Sequence, residues 1–388
     1  GQAAELFERV ANLYPGDERA GRALGLSGLA RYRMEDYAGA YLAFERLSGA
    51  VPEPSERAKA YFWLGKTLEK MGNPATVRTA WETAADLDPT GYYSERAVDL
   101  LQNRQPFAPP LAYDLGVDLP REQAKAESWL STTFNLPSDT QFNSLADLAN
   151  DPRLQRGAEL WQLGLFSEAR AEFEALRLAI KDDPLQTYWL ARYLSELGLY
   201  RSAALASRQV LNLAGMDDAQ TLNAPAYFNY LRFPTHYRSL VLPAAEEYGF
   251  HPLFVFSVIR QESLFESFVQ SSAAASGLMQ IMPATGAEIA QNLGWPEDYS
   301  QADLNRPLVN IRLGMDYLDT QRNLFDGNLY ATLAAYNGGP GNAIAWLKLA
   351  EDDPDLFLEV IRFDETREYV RSIYEIYNLY RRIYNRSP

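Results

Sequence analysis

Glu262 is the residue of this chain whose type and position most clearly indicate chemistry. It lies in the stretch "SVIRQESLF" (257–265), where Val255, Val258 and Ile259 recur at the spacing of one helical face. Since Glu262 follows Val258 by four residues, it falls on this apolar face. A carboxyl group in apolar surroundings keeps its proton to higher pH and can donate it to a substrate. The alternative is a partly exposed glutamate at a helix end.

The composition excludes several other kinds of site. The chain has no cysteine and only two histidines, His236 and His251. This excludes thiolate chemistry and leaves little for a multi-histidine zinc site or a serine–histidine triad. The net charge of −15 argues against nucleic acid or an anionic membrane surface as the main partner. No apolar run reaches the ~18 residues of a membrane span, so we expect none.

Internal repeats indicate how the first part of the chain is built. The stretch 160–176 aligns with 194–211 at an offset of 34 residues, the period of tetratricopeptide-type helix pairs. Fragments of the same pattern occur at 34–47 and 63–89. Small residues let paired helices approach, aromatic residues fill the groove between them, and each pair needs a neighbour to cover its apolar face. We interpret the aromatic residues of this array as core; a peptide or glycan groove is the alternative.

Two breaks in the helical pattern predict the domain organisation. At 388 residues the chain is too long for one compact core. The proline-rich stretch near 103–120 predicts an extended connection within the helical array, and Pro234 predicts the end of a helix near a domain boundary. We therefore expect a helical array over 1–230 and a second domain over 231–388.

Four sequence blocks in the second domain carry a family resemblance. They are the pair Glu262-Ser263, "GLMQIMP" (277–283), "AYNGGPG" (335–341) and "ETREYV" (365–370). In this order and spacing they resemble the catalytic domain of soluble lytic transglycosylases of the goose-type lysozyme superfamily. The repeats also resemble the superhelical region of that family. The resemblance implies an all-α fold, with a right-handed α-superhelix of tetratricopeptide-like helix pairs followed by a lysozyme-like α-helical catalytic domain.

The same resemblance implies a reaction. It is cleavage of the β-1,4 bond between N-acetylmuramic acid and N-acetylglucosamine in peptidoglycan, with formation of 1,6-anhydro ends. Glu262 acts as the single acid and base, assisted by the N-acetyl oxygen of the substrate. No metal or organic cofactor is implied. The alternatives are a lysozyme- or chitinase-like hydrolase of the same fold, or a helical-repeat scaffold with an inactive catalytic domain.

Eight further residues are assigned roles by the resemblance. Glu365 supports the site by tying down a loop or a neighbouring side chain, and Met279, in contrast, faces the core. Ser271 stands nine residues after Glu262, and Ala274 occupies a position where the family often has glycine. For Ser271 the alternative role is a turn or helix cap, and for the Tyr-Asn pair of the third block it is turn building. The residues expected to contact substrate are Ser271, Gln280, Met282, Tyr336, Asn337 and Tyr369.

Ordinary glycosidases use two catalytic carboxylates, so four other carboxylates are candidates for a partner of Glu262. They are Glu266, Glu288, Asp316 and Asp319, and none lies in a family block. Glu266 follows Glu262 by about one helical turn, near the end of the segment, and we expect it to be solvated.

The expected partners and compartment follow from the substrate class. Peptidoglycan glycan strands are the expected substrate, with envelope proteins as further partners through the superhelix. We expect a bacterial envelope location, periplasmic or extracellular. Since no signal peptide is visible and Gly1 already begins a helical pattern, we expect the native chain to start further upstream.

Overall fold

The computed structural model describes residues 1–351 and 353–385, and its regular structure is helical. In this part of the chain there are twenty α-helices and three short 3₁₀ turns, with only isolated β-bridges, so the predicted all-α class is confirmed. The helices are Gln2–Leu13 (α1), Glu18–Arg33 (α2), Tyr37–Ala50 (α3), Pro54–Lys70 (α4), Pro74–Leu87 (α5), Tyr92–Leu101 (α6), Leu119–Thr133 (α7), Pro152–Gln162 (α8), Phe166–Ala179 (α9), Pro184–Leu197 (α10), Tyr200–Leu213 (α11), Ala226–Arg232 (α12), Arg238–Glu247 (α13), Pro252–Ser263 (α14), Pro283–Leu293 (α15), Pro307–Leu324 (α16), Leu329–Gly338 (α17), Pro340–Ala350 (α18), Pro354–Val360 (α19) and Asp364–Tyr384 (α20).

The chain forms two compact units. Unit 1 contains residues 1–108 and 349–378, and unit 2 contains residues 109–348 and the chain from 379 onward. These cuts differ from the predicted boundary near 230, because the second half of the helical array falls in unit 2 together with α13 to α17. The division into a repeat domain and a catalytic domain stays a prediction.

The repeats form helix pairs held close by small residues, as predicted. A β-carbon on Gly65 of α4 would collide with the indole ring of Trp81 on α5. In unit 2, a β-carbon on Gly157 of α8 would lie 2.7 Å from the ring of Phe173 on α9. The aromatic residue comes 16 positions after the glycine in both pairs (81 − 65 and 173 − 157). Trp81 and Phe173 are buried, which agrees with their interpretation as core.

The segment between α6 and α7 is irregular, as the prolines predict. It has no helix from 104 to 118. In unit 2, the backbone N–H of Asp114 donates to the carbonyl oxygen of Tyr384 at 3.0 Å, and Tyr113 forms an isolated bridge with Asn385. The segment therefore runs extended beside the end of the chain.

Unit 1 is held together by buried ion pairs between residues far apart in sequence. Lys66 Nζ lies 3.0 Å from Asp355 Oδ2, and Arg96 Nε lies 2.7 Å from Asp355 Oδ1. Lys59 Nζ lies 2.9 Å from Glu359 Oε2. Burial alone would raise the pKa of Asp355, but the two cations hold it well below its usual range. These pairs attach α19 to α4 and α6.

Every helix within the described ranges is too short or too polar to pass through a lipid bilayer.

Candidate active site

Helix α14 carries Glu262 in its last turn. Val255, Val258 and Ile259 are fully buried, as the apolar pattern predicts. Glu262 itself is half-buried. Glu262 therefore lies at the edge of the core, next to the buried side chains of Val258 and Ile259 on the same helix.

Ser263, the second residue of the first block, fixes the end of this helix. Its hydroxyl accepts a hydrogen bond from the backbone N–H of Phe265 at 3.1 Å. The same oxygen lies 2.9 Å from the carbonyl oxygen of Leu278, to which it donates. Leu264 and Phe265 have φ of 50° and 66°, in the left-handed region that L-residues seldom adopt. Ser263 thus joins the helix end to the glycine-containing loop of the second block.

That loop folds back on itself between 269 and 282. Ser276 and Ile281 exchange two backbone hydrogen bonds of 3.0 and 3.1 Å. Gln280 has φ of 48°, and its Nε2 donates to the carbonyl oxygens of Gly277 and Val269 at 2.9 and 3.2 Å. The amide nitrogen of Gln280 therefore shapes the loop itself, and its predicted contact with sugar stays a prediction.

Asn310, on α16, clamps the loop and was missed from the sequence. Its Oδ1 accepts the backbone N–H of Met279 at 2.7 Å, and its Nδ2 donates to the carbonyl oxygens of Ser276 and Leu304, each at 2.8 Å. The residue is fully buried. An available signal was its position one turn before Leu313 and Gly314 on the apolar face of α16, the same argument that identified Glu262.

Tyr336 connects the third block to the second. Its hydroxyl donates to the carbonyl oxygen of Met279 at 2.7 Å, and its ring centre lies 5.1 Å from that of Tyr317. Burial, and then the nearby charge of Glu262, raise the pKa of Tyr336 well above its usual value. Met279 is fully buried, so its predicted core position is confirmed. Tyr336, Met279 and Glu262 therefore lie close together in unit 2.

Three predicted substrate contacts lie at the surface of unit 2. Met282, the residue before α15, is 43% exposed, and Asn337 is also exposed. Ser271 is exposed, and its hydroxyl accepts the backbone N–H of Ala275 at 3.0 Å. Ser271 therefore builds a turn, the alternative weighed above. Ala274 in this turn has φ of 68°, a conformation that explains why glycine suits the position.

The two remaining predicted residues belong to unit 1. Glu365 and Tyr369 lie on α20, the first exposed and the second buried. Their predicted roles in the site stay predictions.

The prediction that Glu266 is solvated was wrong. The residue is 1% exposed, and its Oε2 accepts a hydrogen bond from Arg170 Nη1 at 2.9 Å. The reason is tertiary, since α9 of the helical array covers the turn that follows α14 and supplies the arginine.

The other three carboxylates differ in their surroundings. Asp319 pairs with Arg322 one turn later on α16. Burial raises the pKa of Asp316. Glu288 is exposed on α15. The pKa of Tyr317 is raised mainly by burial of Tyr317 itself and secondly by the charge of Glu288.

Comparison with known proteins identifies a domain within the chain. Residues 239–356 match the transglycosylase SLT domain family. The chain is 35% identical over 144 residues to the soluble lytic murein transglycosylase of Salmonella typhimurium. The aligned segment covers 37% of this chain and 22% of that protein. It is also 35% identical over 153 residues to the soluble lytic murein transglycosylase of Escherichia coli K12, covering 38% and 24%. The chain thus spans about a quarter of the length of these relatives.

Solved structures resemble nearly the whole chain. An inactive glutamate-to-glutamine mutant of the lytic transglycosylase Slt from Pseudomonas aeruginosa matches with a TM-score of 0.68 and 25% identity, covering 97% of this chain and 55% of that one. The 70 kDa soluble lytic transglycosylase of Escherichia coli matches with a TM-score of 0.64 and 23% identity, covering 94% and 53%, a likeness of fold alone. These comparisons confirm the resemblance to soluble lytic transglycosylases that the four blocks predict.

Proposed function

We propose that this chain, with its transglycosylase SLT domain, is a peptidoglycan lytic transglycosylase in which Glu262 is the single acid and base. The bond cleaved is the β-1,4 bond between N-acetylmuramic acid and N-acetylglucosamine, and the product ends in 1,6-anhydro-N-acetylmuramic acid.

One observation carries the proposal. The hydroxyl group of Tyr336 bonds the Met279 carbonyl at 2.7 Å, and the charge of Glu262 acts on that same hydroxyl. Three of the four blocks therefore converge on one half-buried carboxylate. The inactive glutamine mutant among the related structures supports an essential glutamate in such proteins.

In the first step, the carboxyl group of Glu262 donates its proton to the glycosidic oxygen as the bond to the anomeric carbon breaks. The departing N-acetylglucosamine keeps this proton as a hydroxyl group. The acetamido oxygen of the N-acetylmuramic acid stabilises the positive charge on the anomeric carbon, which removes the need for a second carboxylate.

In the second step, the carboxylate of Glu262 accepts the proton of the C6 hydroxyl group on the same sugar. The C6 oxygen then bonds to the anomeric carbon and closes the anhydro ring. Glu262 is protonated again, and no water is consumed.

The side chains around Glu262 have supporting roles in this scheme. Tyr336 holds the loop through the Met279 carbonyl and keeps its own proton, because its pKa is raised. The exposed Met282 and Asn337 offer contacts for the sugars, the thioether to an acetyl methyl group and the amide to a hydroxyl group.

The test is the substitution Glu262→Gln in the full chain. We expect it to lower the release of anhydro products by about 10³-fold, because general acid catalysis is lost while the side-chain size is kept. Products are measured by mass spectrometry of digested peptidoglycan, and folding by thermal melting. An active Glu262→Gln variant would show that another group supplies the proton, whereas an inactive wild-type chain would favour the scaffold alternative.

Hydrolysis is the second candidate, and one observation favours it. The charge of Glu288 contributes to raising the pKa of Tyr317, whose ring packs against Tyr336, so a second carboxylate lies within electrostatic range of this tyrosine pair. An inverting hydrolase would use it to activate a water molecule. Glu288→Gln is therefore the matched control. If the reaction is transglycosylation, this variant should keep the wild-type rate and both proteins should yield anhydro ends. If the reaction is hydrolysis, the variant should lose most of the rate and the wild type should yield reducing ends.

The proposed substrate places the protein in the bacterial cell envelope, in the periplasm or outside the cell. The helical repeats are proposed to guide long glycan strands toward the site and to offer a surface for envelope proteins.

A further inference from the structure

Glu266 is a buried carboxylate that the reaction above does not use. One of its oxygens is bonded to Arg170, while Oε1 is buried and has no hydrogen-bond partner within the described part of the chain. Such a group is costly to bury. Its position, four residues after Glu262, therefore calls for a role.

The segment that carries Glu266 is fastened to α8 and α9 by two kinds of contact. The first is the ion pair, in which the side chain of Arg170 is 31% exposed and that of Glu266 is fully buried. The second is aromatic: the Phe268 ring centre lies 5.3 Å from that of Phe166 and 5.9 Å from that of Trp161. The guanidinium of Arg170 also lies 5.9 Å from the Phe268 ring centre.

The charges around Glu266 come from two helices of the array. Burial raises the pKa of Glu266. The positive charges of Arg170 on α9 and Arg201 on α11 lower this pKa, and the negative charge of Glu174 on α9 raises it. The balance leaves the pKa above its usual value. Only Arg170 forms an ion pair with the carboxylate among the described residues.

A short path leads from Glu266 to Glu262. The backbone N–H of Glu266 donates to the carbonyl oxygen of Ser263 at 3.2 Å. Between them stand Leu264 and Phe265, both with left-handed backbones. Such conformations persist only where surrounding contacts over-determine them. An anchor at Glu266 therefore holds the turn and, through it, the last turn of α14.

We propose that Arg170 and Glu266 are positioning residues whose ion pair fixes the carboxyl group of Glu262 for reaction. The inference rests on the proposed role of Glu262. It gives the helix pair α8–α9 a direct effect on the rate of the chemical step, in addition to any effect on strand binding.

The test compares kcat and KM of full-length variants on glycan strands released from peptidoglycan, with anhydro ends counted by mass spectrometry. For Arg170→Met and Glu266→Gln we expect kcat to fall about 10-fold with KM within about twofold, because small displacements at a reacting centre lower the rate steeply. The double variant should be no slower than the slower single variant, since both changes remove the same pairing of opposite charges. Arg170→Lys, which keeps the charge, should recover part of the rate.

Arg156→Met is the matched control. Arg156 of α8 pairs with Glu172 of α9 at 2.8 Å, but its side chain is 53% exposed and its partner is Glu172, not Glu266. This variant should keep wild-type kcat.

Three outcomes would overturn the inference: folded Arg170→Met and Glu266→Gln variants with wild-type kcat, an effect confined to KM, or the same loss in Arg156→Met. If Arg170→Met melts below the assay temperature, Glu266→Gln decides alone. Failure of the proposed function is distinguishable, since it would show as an active Glu262→Gln variant or as a wild type that yields no anhydro ends.

Discussion

The two compact units hold their buried polar groups in different ways. In unit 1, Asp355 binds Lys66 and Arg96 through full charges in the interior. In unit 2, the loop of the second block is held by neutral groups, the amide of Asn310 and the hydroxyl of Ser263. Both devices join residues distant in sequence, but the groups that bond in unit 1 are charged and those that hold the loop in unit 2 are neutral.

The difference follows from what lies nearby. In a medium of low dielectric constant a buried charge acts strongly on its neighbours. A neutral clamp fixes the backbone beside Tyr336 and Glu262 without adding a charge to the candidate site. Glu266 is the charged exception in unit 2, and Arg170 balances it. The backbone of the second block is thus held by an amide and a hydroxyl group, whereas the turn after α14 is held by an ion pair.

The largest effect on stability is expected for Asp355→Ala. It leaves Lys66 and Arg96 buried without their shared partner, which costs about 3–5 kcal/mol of unfolding free energy. Urea denaturation measures the loss. Arg78→Ala, which breaks an exposed pair with Glu82, is the control and should cost less than about 0.5 kcal/mol. Similar losses in both variants would mean that burial does not strengthen the ion pairs of unit 1.

Asn310→Ala tests the neutral clamp. It removes three hydrogen bonds to buried backbone groups, so we expect a loss of about 2–3 kcal/mol in unfolding free energy. We also expect at least about 10-fold lower kcat. Asn323→Ala, on the exposed side of the same helix, is the control for both measurements. Unchanged kcat in a folded Asn310→Ala variant would separate the loop from the reaction.

Glu375→Gln sharpens the account of charge in unit 1. Burial raises the pKa of Glu375 to about 7 from an ordinary value of 4.5. Between these two values the folded chain keeps a proton that the unfolded chain releases, so stability falls as the pH rises. The neutral variant lacks this loss and should be about 1–3 kcal/mol more stable than the wild type at pH 8, with little difference near pH 4.5.

Denaturation at several pH values checks that prediction. The amide oxygen of glutamine can still accept the backbone N–H of Tyr92, which bonds Glu375 at 2.9 Å. Equal pH dependence in the two proteins would contradict the buried proton.

The smallest expected effect is at the turn of unit 2. Ala274→Gly relieves a left-handed alanine and should stabilise the protein by about 0.5 kcal/mol after the entropy of the unfolded chain is counted. Ala273→Gly, outside the left-handed region, is the control and should be neutral or slightly destabilising. A destabilised Ala274→Gly variant would mean that the turn tolerates alanine without strain.

Structural features that depend on residues close together in the sequence were predictable. The helical face of α14, the helix pairs with their glycine and aromatic positions, the irregular segment from 104 to 118 and the core position of Met279 all follow from periodicity, residue size or the family pattern. Each depends on neighbours within a few turns of helix or on a repeated unit.

Features that depend on distant pairing were not predictable. The sequence around Glu266 does not predict its pairing with Arg170, which lies 96 residues earlier (266 − 170). The side chain of Asn310 forms hydrogen bonds with the backbone of Met279 and Ser276, about 30 residues earlier in the sequence. The position of Glu375 beside the backbone of Tyr92 is of the same kind. A single sequence gives the polarity of such residues but not their partners.

Asn310 binds the loop only through backbone atoms, and this has a consequence for engineering. The side chains at 280 and 282 contribute nothing to the three bonds that Asn310 makes. Libraries of substitutions at the exposed position 282 can therefore test the proposed sugar contact while the backbone of the loop keeps its bonds to Asn310.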